Sequence, residues 1–433
     1  MTTVFYRAPR KEYPTISHGS GVYLWDTTGR RYLDGSSGAL VVNVGHGRKA
    51  VAEAMAAQAS QVAFAHTMRF TSAVQEKLGA LIAERMAPEH YYAYFISGGS
   101  EATETAIKLA RQYHLERGEP ERTKVMARYA SYHGNTLGAL ALSGHLTRRR
   151  PYAPLLASQA FVHFDVPEEH SPDEPCACLQ AVEARIQQEN PSTIAALVIE
   201  VVGGSALSGF VPHAGYLEGL EALCRRYGIL FVVDEVMTGM GRTGRWWAHQ
   251  EAGLKPDMMT LAKGLSSGYS PLGAVVAHEN VWETVRQGSG AFAHGFTYGG
   301  NPVSAAASVA VFDIMEKEQL VEQGSRAGDS LARRLAELAA RHPVVEAVRG
   351  RGLMQGLVLP SLPGKPGSVA TALGDDAFQN GLIIYPGSGS GKSPEGDHVL
   401  VAPPLTVSEA ELDELVELLE ASLRRVSERM GLA

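Results

Sequence analysis

Cysteine is scarce in this sequence, with three residues among 433. Cys176, Cys178 and Cys224 lack the second pair or the nearby histidines of a zinc site, and their odd number argues against a disulfide framework. Long apolar runs are also missing, since the most apolar stretch, 194–202, is short and carries Glu200. We therefore expect a cytoplasmic protein with reduced thiols, no bound metal and no membrane segment.

Dense positive charge is missing as well. The formal net charge is -7, and the one basic cluster, 148–150, is too short to follow a nucleic-acid backbone. We therefore expect small-molecule partners rather than nucleic acid. The composition is that of an ordinary globular protein, 45% hydrophobic and 20% charged, and the length allows two domains.

Short apolar runs alternate with stretches of helical spacing. The runs predict strands that are buried on both faces, at 94–96, 125–127, 196–199, 229–233 and 258–261. Between them, 101–117 and 215–227 have the three- and four-residue apolar spacing of amphipathic helices. This alternation predicts an α/β fold with a mostly parallel central sheet and helices on both faces.

The pattern changes after Pro302 to long helices and short strands, which predicts a smaller α+β domain. The first 60 residues contain a predicted strand pair and are too few to fold alone. We therefore predict a large domain at 61–302 and a small domain built from both termini, at 1–60 and 303–433.

Lys263 directly follows the apolar run 258–261 and precedes Gly, Ser, Ser and Gly. A solvated surface charge is the ordinary interpretation of a single lysine. Ligands in α/β sheets, however, bind beyond the carboxyl ends of the strands, where a desolvated lysine can lose its proton and attack a carbonyl carbon. Lys263 is therefore a candidate nucleophile.

A second predicted strand ends at Asp234, with Val236 on the same face because side chains alternate along a strand. A pyridine-ring cofactor uses such a pair: the carboxylate keeps the ring nitrogen protonated and the apolar group packs on the ring. An N-cap or an ion-paired aspartate is the alternative interpretation.

Two further segments offer cofactor contacts. Gly99 and Ser100 lie in a small-residue turn between a strand and a helix, where backbone N–H groups bind phosphate, although turns and caps need the same residues. Tyr132, in Tyr-His-Gly, offers a ring to stack on a flat cofactor, although a core tyrosine is commoner.

Together these segments resemble the class III, fold-type I, pyridoxal-phosphate-dependent aminotransferases. The resemblance covers nearly the whole chain and rests on SGGSEATETAIKLAR, YHG, DEVMTGMGRTG, TLAKGLSSGYSPLGA, FTYGGNP and VRGRGLMQG. It implies pyridoxal 5'-phosphate as the cofactor, held by Lys263 as a Schiff base, with Asp234 at the pyridine nitrogen. It also implies that Thr297 reaches the phosphate of the neighbouring subunit, so that the site forms only in a homodimer. The remaining cofactor contacts that it implies are Gly99, Ser100, Tyr132, His133, Glu200 and Val236.

The implied reaction moves an amino group from an amine or amino-acid donor to a keto-acid or aldehyde acceptor by a ping-pong mechanism. An aminomutase, racemase or decarboxylase on the same scaffold is the alternative, because a fold does not determine its chemistry. A non-catalytic cofactor-binding protein is not expected, because Lys263, Asp234 and Thr297 are all present.

Two positions depart from the amine:pyruvate branch of that family. Glu409 stands at the position where that branch has an arginine that binds the substrate carboxylate. Glu409 could attract a distal amine of the substrate. Alternatively, it could merely stabilise the start of a helix, where Ser408 and Glu411 form a capping box. Leu40 replaces an aromatic residue; it could widen the substrate pocket or simply pack beneath the cofactor. The donor and acceptor therefore stay open.

The segment 239–244 fits the dinucleotide-binding pattern G-x-G-x-x-G. No clean helix follows it, and no acidic residue lies at the distance that the pattern requires. We therefore predict that these glycines shape a loop beside the active site.

Overall fold

The computed structural model describes residues 3–156, 159–165, 175–365, 367–388 and 396–432. The strands are β1 (Ile16–Ser20), β2 (Tyr23–Asp26), β3 (Arg31–Asp34), β4 (Tyr91–Ile96), β5 (Lys124–Arg128), β6 (Phe161–Phe164), β7 (Ile194–Glu200), β8 (Leu230–Asp234), β9 (Met258–Leu261), β10 (Gly273–His278), β11 (Ala347–Arg351), β12 (Met354–Leu359), β13 (Leu382–Ile383), β14 (Tyr385–Ser388) and β15 (Asp397–Val401). The helices are α1 (Ser37–Leu40), α2 (Lys49–Gln61), α3 (Ala73–Glu84), α4 (Gly99–Glu116), α5 (Leu137–Leu142), α6 (Leu146–Arg149), α7 (Pro175–Gln188), α8 (Tyr216–Tyr227), α9 (Glu279–Gln287), α10 (Pro302–Lys317), α11 (Leu320–Arg341), α12 (Ser368–Gln379) and α13 (Glu409–Met430).

The central sheet has the strand order β4-β10-β9-β8-β7-β5-β6 in the described part of the chain. Strands β6, β5, β7, β8 and β9 pair in parallel, whereas β10 runs antiparallel between β9 and β4. The predicted mostly parallel sheet is therefore confirmed. Four of the five predicted runs lie within its strands, and the run 229–233 overlaps β8 from Leu230 onward. The sequence interpretation did not include β6 or the antiparallel β10.

Helices cover both faces of this sheet. Their packing explains why the sequence of β8 is almost wholly apolar. Phe231 and Val233 pack in one core cluster together with Leu220 of α8, whereas Leu230 and Val232 pack in the other, with residues of α4. Since alternate side chains face opposite ways, a strand between two helical layers needs apolar residues at every position. The amphipathic α8 ends at Gly228, whose φ of 64° suits a left-handed C-cap.

The other described strands form two four-stranded sheets, with the orders β1-β2-β3-β13 and β11-β12-β15-β14. Parallel pairing of β3 with β13, Leu33 opposite Leu382, joins residues from both ends of the chain in one sheet. The boundaries at 60 and 303 themselves stay a prediction. Within the described ranges, no helix is long and apolar enough to cross a membrane.

Candidate active site

A cavity of about 420 Å³ lies where β4, β5, β7, β8 and β9 end. Since β10 is antiparallel to both β4 and β9, these five strands all run in one direction and their carboxyl ends meet at one edge of the sheet. Chain segments that are far apart in sequence therefore converge here. The cavity lining contains the predicted residues Gly99, Ser100, Tyr132, His133, Glu200, Asp234, Val236 and Lys263.

Lys263 enters this cavity just after β9, as the first residue of a short 3₁₀ turn. Its backbone has a φ of 46°, in the left-handed region that costs a residue with a side chain about 1–3 kcal/mol. Burial lowers the pKa of the Lys263 ammonium to about 8, against the opposing charges of Asp234 and Glu200. A substantial fraction of Lys263 is therefore a neutral amine, a nucleophile, in mildly alkaline solution.

Asp234 is the last residue of β8 and is only 5% exposed. Hydrogen bonds fix both of its carboxylate oxygens. Its Oδ2 lies 2.7 Å from Nδ1 of His133, and its Oδ1 accepts hydrogen bonds from the Thr260 hydroxyl at 3.0 Å and the Val236 N–H at 3.1 Å. Burial opposes a charge on His133, but the hydrogen bond and the charge of Asp234 prevail, so the pKa of His133 is raised. The carboxylate is thus held rigidly at the strand end.

The start of α4 forms another part of the cavity wall. The first N–H groups of a helix have no acceptor within the helix, and the dipole adds partial positive charge, so Gly99 and Ser100 present an anion-binding surface. Gly99 has little room for a side chain, because an added Cβ would lie 3.0 Å from a methyl group of Val236. The Ser100 hydroxyl accepts a hydrogen bond from the Asn135 N–H at 2.9 Å, which ties the loop after β5 to this turn.

Glu200 supports the cavity wall from the end of β7. Its carboxylate accepts hydrogen bonds from the backbone N–H of Tyr132 at 3.3 Å and of Gly204 at 3.0 Å. Burial is the main cause that raises the pKa of Glu200, and the nearby charge of Asp234 adds to it, although His133 and the two hydrogen bonds oppose the shift. Tyr132, whose backbone N–H is bound by Glu200, also lines the cavity.

The structure places Thr297 and Leu40 outside the residues that line the cavity. Thr297 is exposed, in the loop before α10. Leu40 is 1% exposed and packs with Val202 and other apolar residues beneath the site, while its neighbour Val41 lines the cavity. The suggested roles of both residues stay predictions.

Glu409 is the first residue of α13, behind the Ser408 cap. One carboxylate oxygen accepts a hydrogen bond from the Ser330 hydroxyl at 2.8 Å and pairs with the Arg334 guanidinium at 3.0 Å. Ser408 and Glu411 form the predicted capping box. The conformation therefore favours the helix-capping interpretation of Glu409, and a contact with substrate stays a prediction.

Several residues that line the cavity were not predicted from the sequence. Ser266 and Ser270 could have been predicted, because both follow Lys263 in the same motif. Val41 is the neighbour of Leu40, which was the predicted residue. Val202 and Leu272 carried no signal, because an aliphatic side chain next to a strand is typical of any core.

The glycine-rich segment 239–244 forms a loop, and the next helical turn after it is a short 3₁₀ turn at Ala248–Ala252. Its Arg242 is buried and donates hydrogen bonds to the carbonyl oxygens of Leu353 and Pro403 and to the side chain of Asn43. The loop thus joins three parts of the chain. It does not open a helix, as a dinucleotide-binding turn does.

Comparisons with known proteins agree with this geometry. Residues 6–423 match the family described as Aminotransferase class-III. An uncharacterized aminotransferase, YodT, of Bacillus subtilis is 36% identical over 96% of this chain and 96% of its own length. The diaminobutyrate–2-oxoglutarate transaminase of Halomonas elongata is 34% identical over 96% of this chain and 91% of its own length. A thermostable (S)-enantioselective omega-transaminase from Thermomicrobium roseum superposes with a TM-score of 0.89 at 36% identity, covering 96% of this chain and 94% of that one.

Among the described residues, no group of histidine, cysteine, aspartate or glutamate is arranged to hold a metal ion.

Proposed function

This chain belongs to the class III aminotransferase family and is a transaminase, and we propose that it works with pyridoxal 5'-phosphate held by Lys263, as a homodimer. The observation that carries the proposal is the meeting of Lys263 and Asp234 in one cavity, at the ends of the adjacent strands β9 and β8. An amine and a fixed carboxylate are the two groups that a pyridine aldehyde needs.

The residues of the cavity fit the three polar parts of this cofactor. The first turn of α4, with Gly99 and Ser100, suits the phosphate. The carboxylate of Asp234, held by His133 and Thr260, suits a protonated ring nitrogen. The amine of Lys263 suits the aldehyde carbon.

When bound, the cofactor supplies a ring that withdraws electrons from the substrate carbon that bears the amine. The Nζ atom of Lys263, neutral in part because burial lowers its pKa to about 8, is the base that takes the proton from that carbon. Asp234 keeps the charge of the ring nitrogen fixed throughout. Tyr132 and Val236, which both line the cavity, would cover the faces of the ring and exclude water.

We propose an amine or amino acid as donor and a keto acid as acceptor. Similarity to a relative named for diaminobutyrate and 2-oxoglutarate supports both classes. The aminomutase, racemase and decarboxylase alternatives are not favoured, because the named relatives are aminotransferases.

The two halves of the reaction can be tested separately by absorbance. We expect a suitable donor alone to convert the visible band of the holoenzyme completely to the ultraviolet band of the aminated cofactor, and a keto acid alone to restore it. Screening amines, diamines and amino acids in this way also identifies the donor. A racemase or a decarboxylase would return its visible band after turnover without an acceptor, and that result would contradict the proposal.

The homodimer is proposed because Thr297 is exposed and outside the cavity of its own chain. A two-fold dimer presents the same loop of each subunit to the other, so one hydroxyl per chain can complete the phosphate site of the opposite chain. We expect sedimentation to show a dimer at assay concentrations.

A hybrid dimer tests the position of Thr297 directly. Thr297→Asp places a negative charge where the phosphate is expected and should weaken cofactor binding, and Lys263→Ala removes the nucleophile. A purified hybrid of the two variants keeps one intact site, built from Lys263 of one chain and Thr297 of the other, and should have about half of the wild-type activity although both parents are inactive. An inactive hybrid would show that Thr297 does not serve the opposite subunit.

A further inference from the structure

We propose that Arg148 recognises the acid group of the substrates, a carboxylate on the 2-oxo-acid acceptor or the amino-acid donor. The inference rests on the transaminase function given above and assigns a specificity residue to that site. In the sequence, Arg148 belonged only to a short basic cluster. The structure places it against the cavity wall.

The position of Arg148 is defined by two tyrosines. Its guanidinium carbon lies 4.3 Å from the ring centroid of Tyr132, which lines the cavity. Its Nη2 lies 3.4 Å from the hydroxyl of Tyr385 in β14, a long contact that leaves most of its N–H groups available. The guanidinium thus lies over Tyr132, a residue of the cavity wall, although Arg148 is not itself among the lining residues, and it stands between the central sheet and a smaller sheet.

Arg148 is half-buried, yet no aspartate or glutamate among the described residues forms an ion pair with it. Its neighbour Arg149 is engaged structurally, since it donates hydrogen bonds to the carbonyl oxygens of Leu140 and Ala141 near the end of α5. A partly desolvated guanidinium without a counter-ion binds a carboxylate strongly and bidentately. Arg148 therefore has the free charge that an acid group requires.

Among the described residues that contact Tyr132, His145 adds no charge that competes with this role. His145, whose ring lies edge-on to Tyr132, has its pKa lowered to about 4 by burial and by the charge of Arg148, so it is neutral in ordinary buffers. The pKa of Lys263, lowered mainly by burial, is lowered further by Arg148, so the guanidinium charge reaches the reacting amine. A substrate carboxylate near Arg148 would meet the positive charge of its guanidinium, and a distal ammonium would be repelled.

The conformation of Glu409 points the same way. That position holds a carboxylate, and the carboxylate is paired with Ser330 and Arg334. It therefore offers no positive charge to a substrate acid. Arg148 can supply this charge from another part of the fold, the short helix α6.

The test compares two acceptors with the aminated holoenzyme: pyruvate, which has a carboxylate, and butanal, which has none. For Arg148→Met we expect kcat/KM for pyruvate to fall about ten- to a hundredfold, mostly through KM, because a charged hydrogen-bonded pair is lost. For butanal it should change less than about twofold. Arg148→Lys should restore part of the pyruvate activity, since it keeps the charge but not the bidentate geometry. Arg150→Met, an exposed arginine two residues along, is the matched control and should leave both acceptors unchanged.

A binding measurement without catalysis completes the test. Calorimetry should show that propionate, a carboxylate without a carbonyl group to react, binds the wild-type holoenzyme and the Arg150→Met variant but binds Arg148→Met at least about tenfold more weakly. If Arg148→Met does not fold, Arg148→Gln takes its place in both measurements.

Two results would overturn the inference. Equal losses for pyruvate and butanal would mean that Arg148 only positions Tyr132, and unchanged pyruvate kinetics with unchanged propionate binding would mean that it has no role. If the wild-type enzyme, after reaction with any donor, transfers the amino group to neither pyruvate nor butanal, that result would instead contradict the transaminase function. The propionate measurement would still decide the role of Arg148.

Discussion

Lys263→Ala should abolish the visible absorbance of the bound cofactor and lower kcat at least about ten-thousandfold, because one side chain supplies both the covalent attachment and the base. No other lysine lines the described part of the cavity. The variant should still fold, because alanine is smaller than lysine. Among the described residues no carboxylate forms an ion pair with Lys263, so removing the ammonium leaves no carboxylate without its partner.

Absorbance spectra and borohydride reduction of the purified protein measure this effect. Lys317→Ala, in the last turn of α10 and exposed, is the control that should keep the wild-type spectrum. A borohydride-reducible adduct that persists in Lys263→Ala would remove Lys263 from its proposed role.

The lowered pKa of Lys263 adds a pH dependence to the same experiment. Only the neutral amine attacks the aldehyde, so the rate at which the cofactor-free wild-type protein captures pyridoxal 5'-phosphate should rise as the pH increases, with a midpoint near the lysine pKa of about 8. An ordinary lysine, with a pKa of about 10.4, would place this midpoint more than two pH units higher. Stopped-flow absorbance across this range distinguishes the two cases.

Asp234→Asn should preserve cofactor binding but slow proton removal from the donor by about a hundred- to several-thousandfold. Losing the charge partner of a buried cation costs about 3–5 kcal/mol, and each 1.4 kcal/mol corresponds to a factor of ten in rate. The amide keeps the shape of the side chain and can still accept the hydrogen bonds of Thr260 and the Val236 N–H. The loss should therefore fall on kcat rather than on folding.

Single-turnover absorbance with an α-deuterated donor measures this step. Glu235→Gln is the matched control, because Glu235 directly follows the strand, is also buried and accepts hydrogen bonds from the Ala248 and His249 N–H groups. That variant should lower the melting temperature and leave the kinetics near the wild-type values. Normal turnover in Asp234→Asn would mean that the ring nitrogen has another partner.

Local patterns in the sequence determined the main elements and the strongest site candidates. An apolar run with a polar residue at its end identifies a strand and its carboxyl end, and Lys263 and Asp234 both stand at such points. The mostly parallel sheet then follows, because strands separated by helices pair in parallel. The antiparallel β10 was missed because its run, GAVVAH, follows a glycine- and serine-rich loop rather than a helix.

Only the tertiary structure decided where the charged side chains near the site point. Glu409 turns to Ser330 and Arg334, residues of α11 that are remote in sequence, and no local pattern specifies such a partner. Arg148 was one of three consecutive arginines with the same chemistry, and packing alone placed it against Tyr132 while Arg149 capped a helix and Arg150 stayed exposed. Sequence periodicity specifies backbone and burial, but the partner of a long charged side chain depends on which distant elements the fold brings within hydrogen-bonding distance.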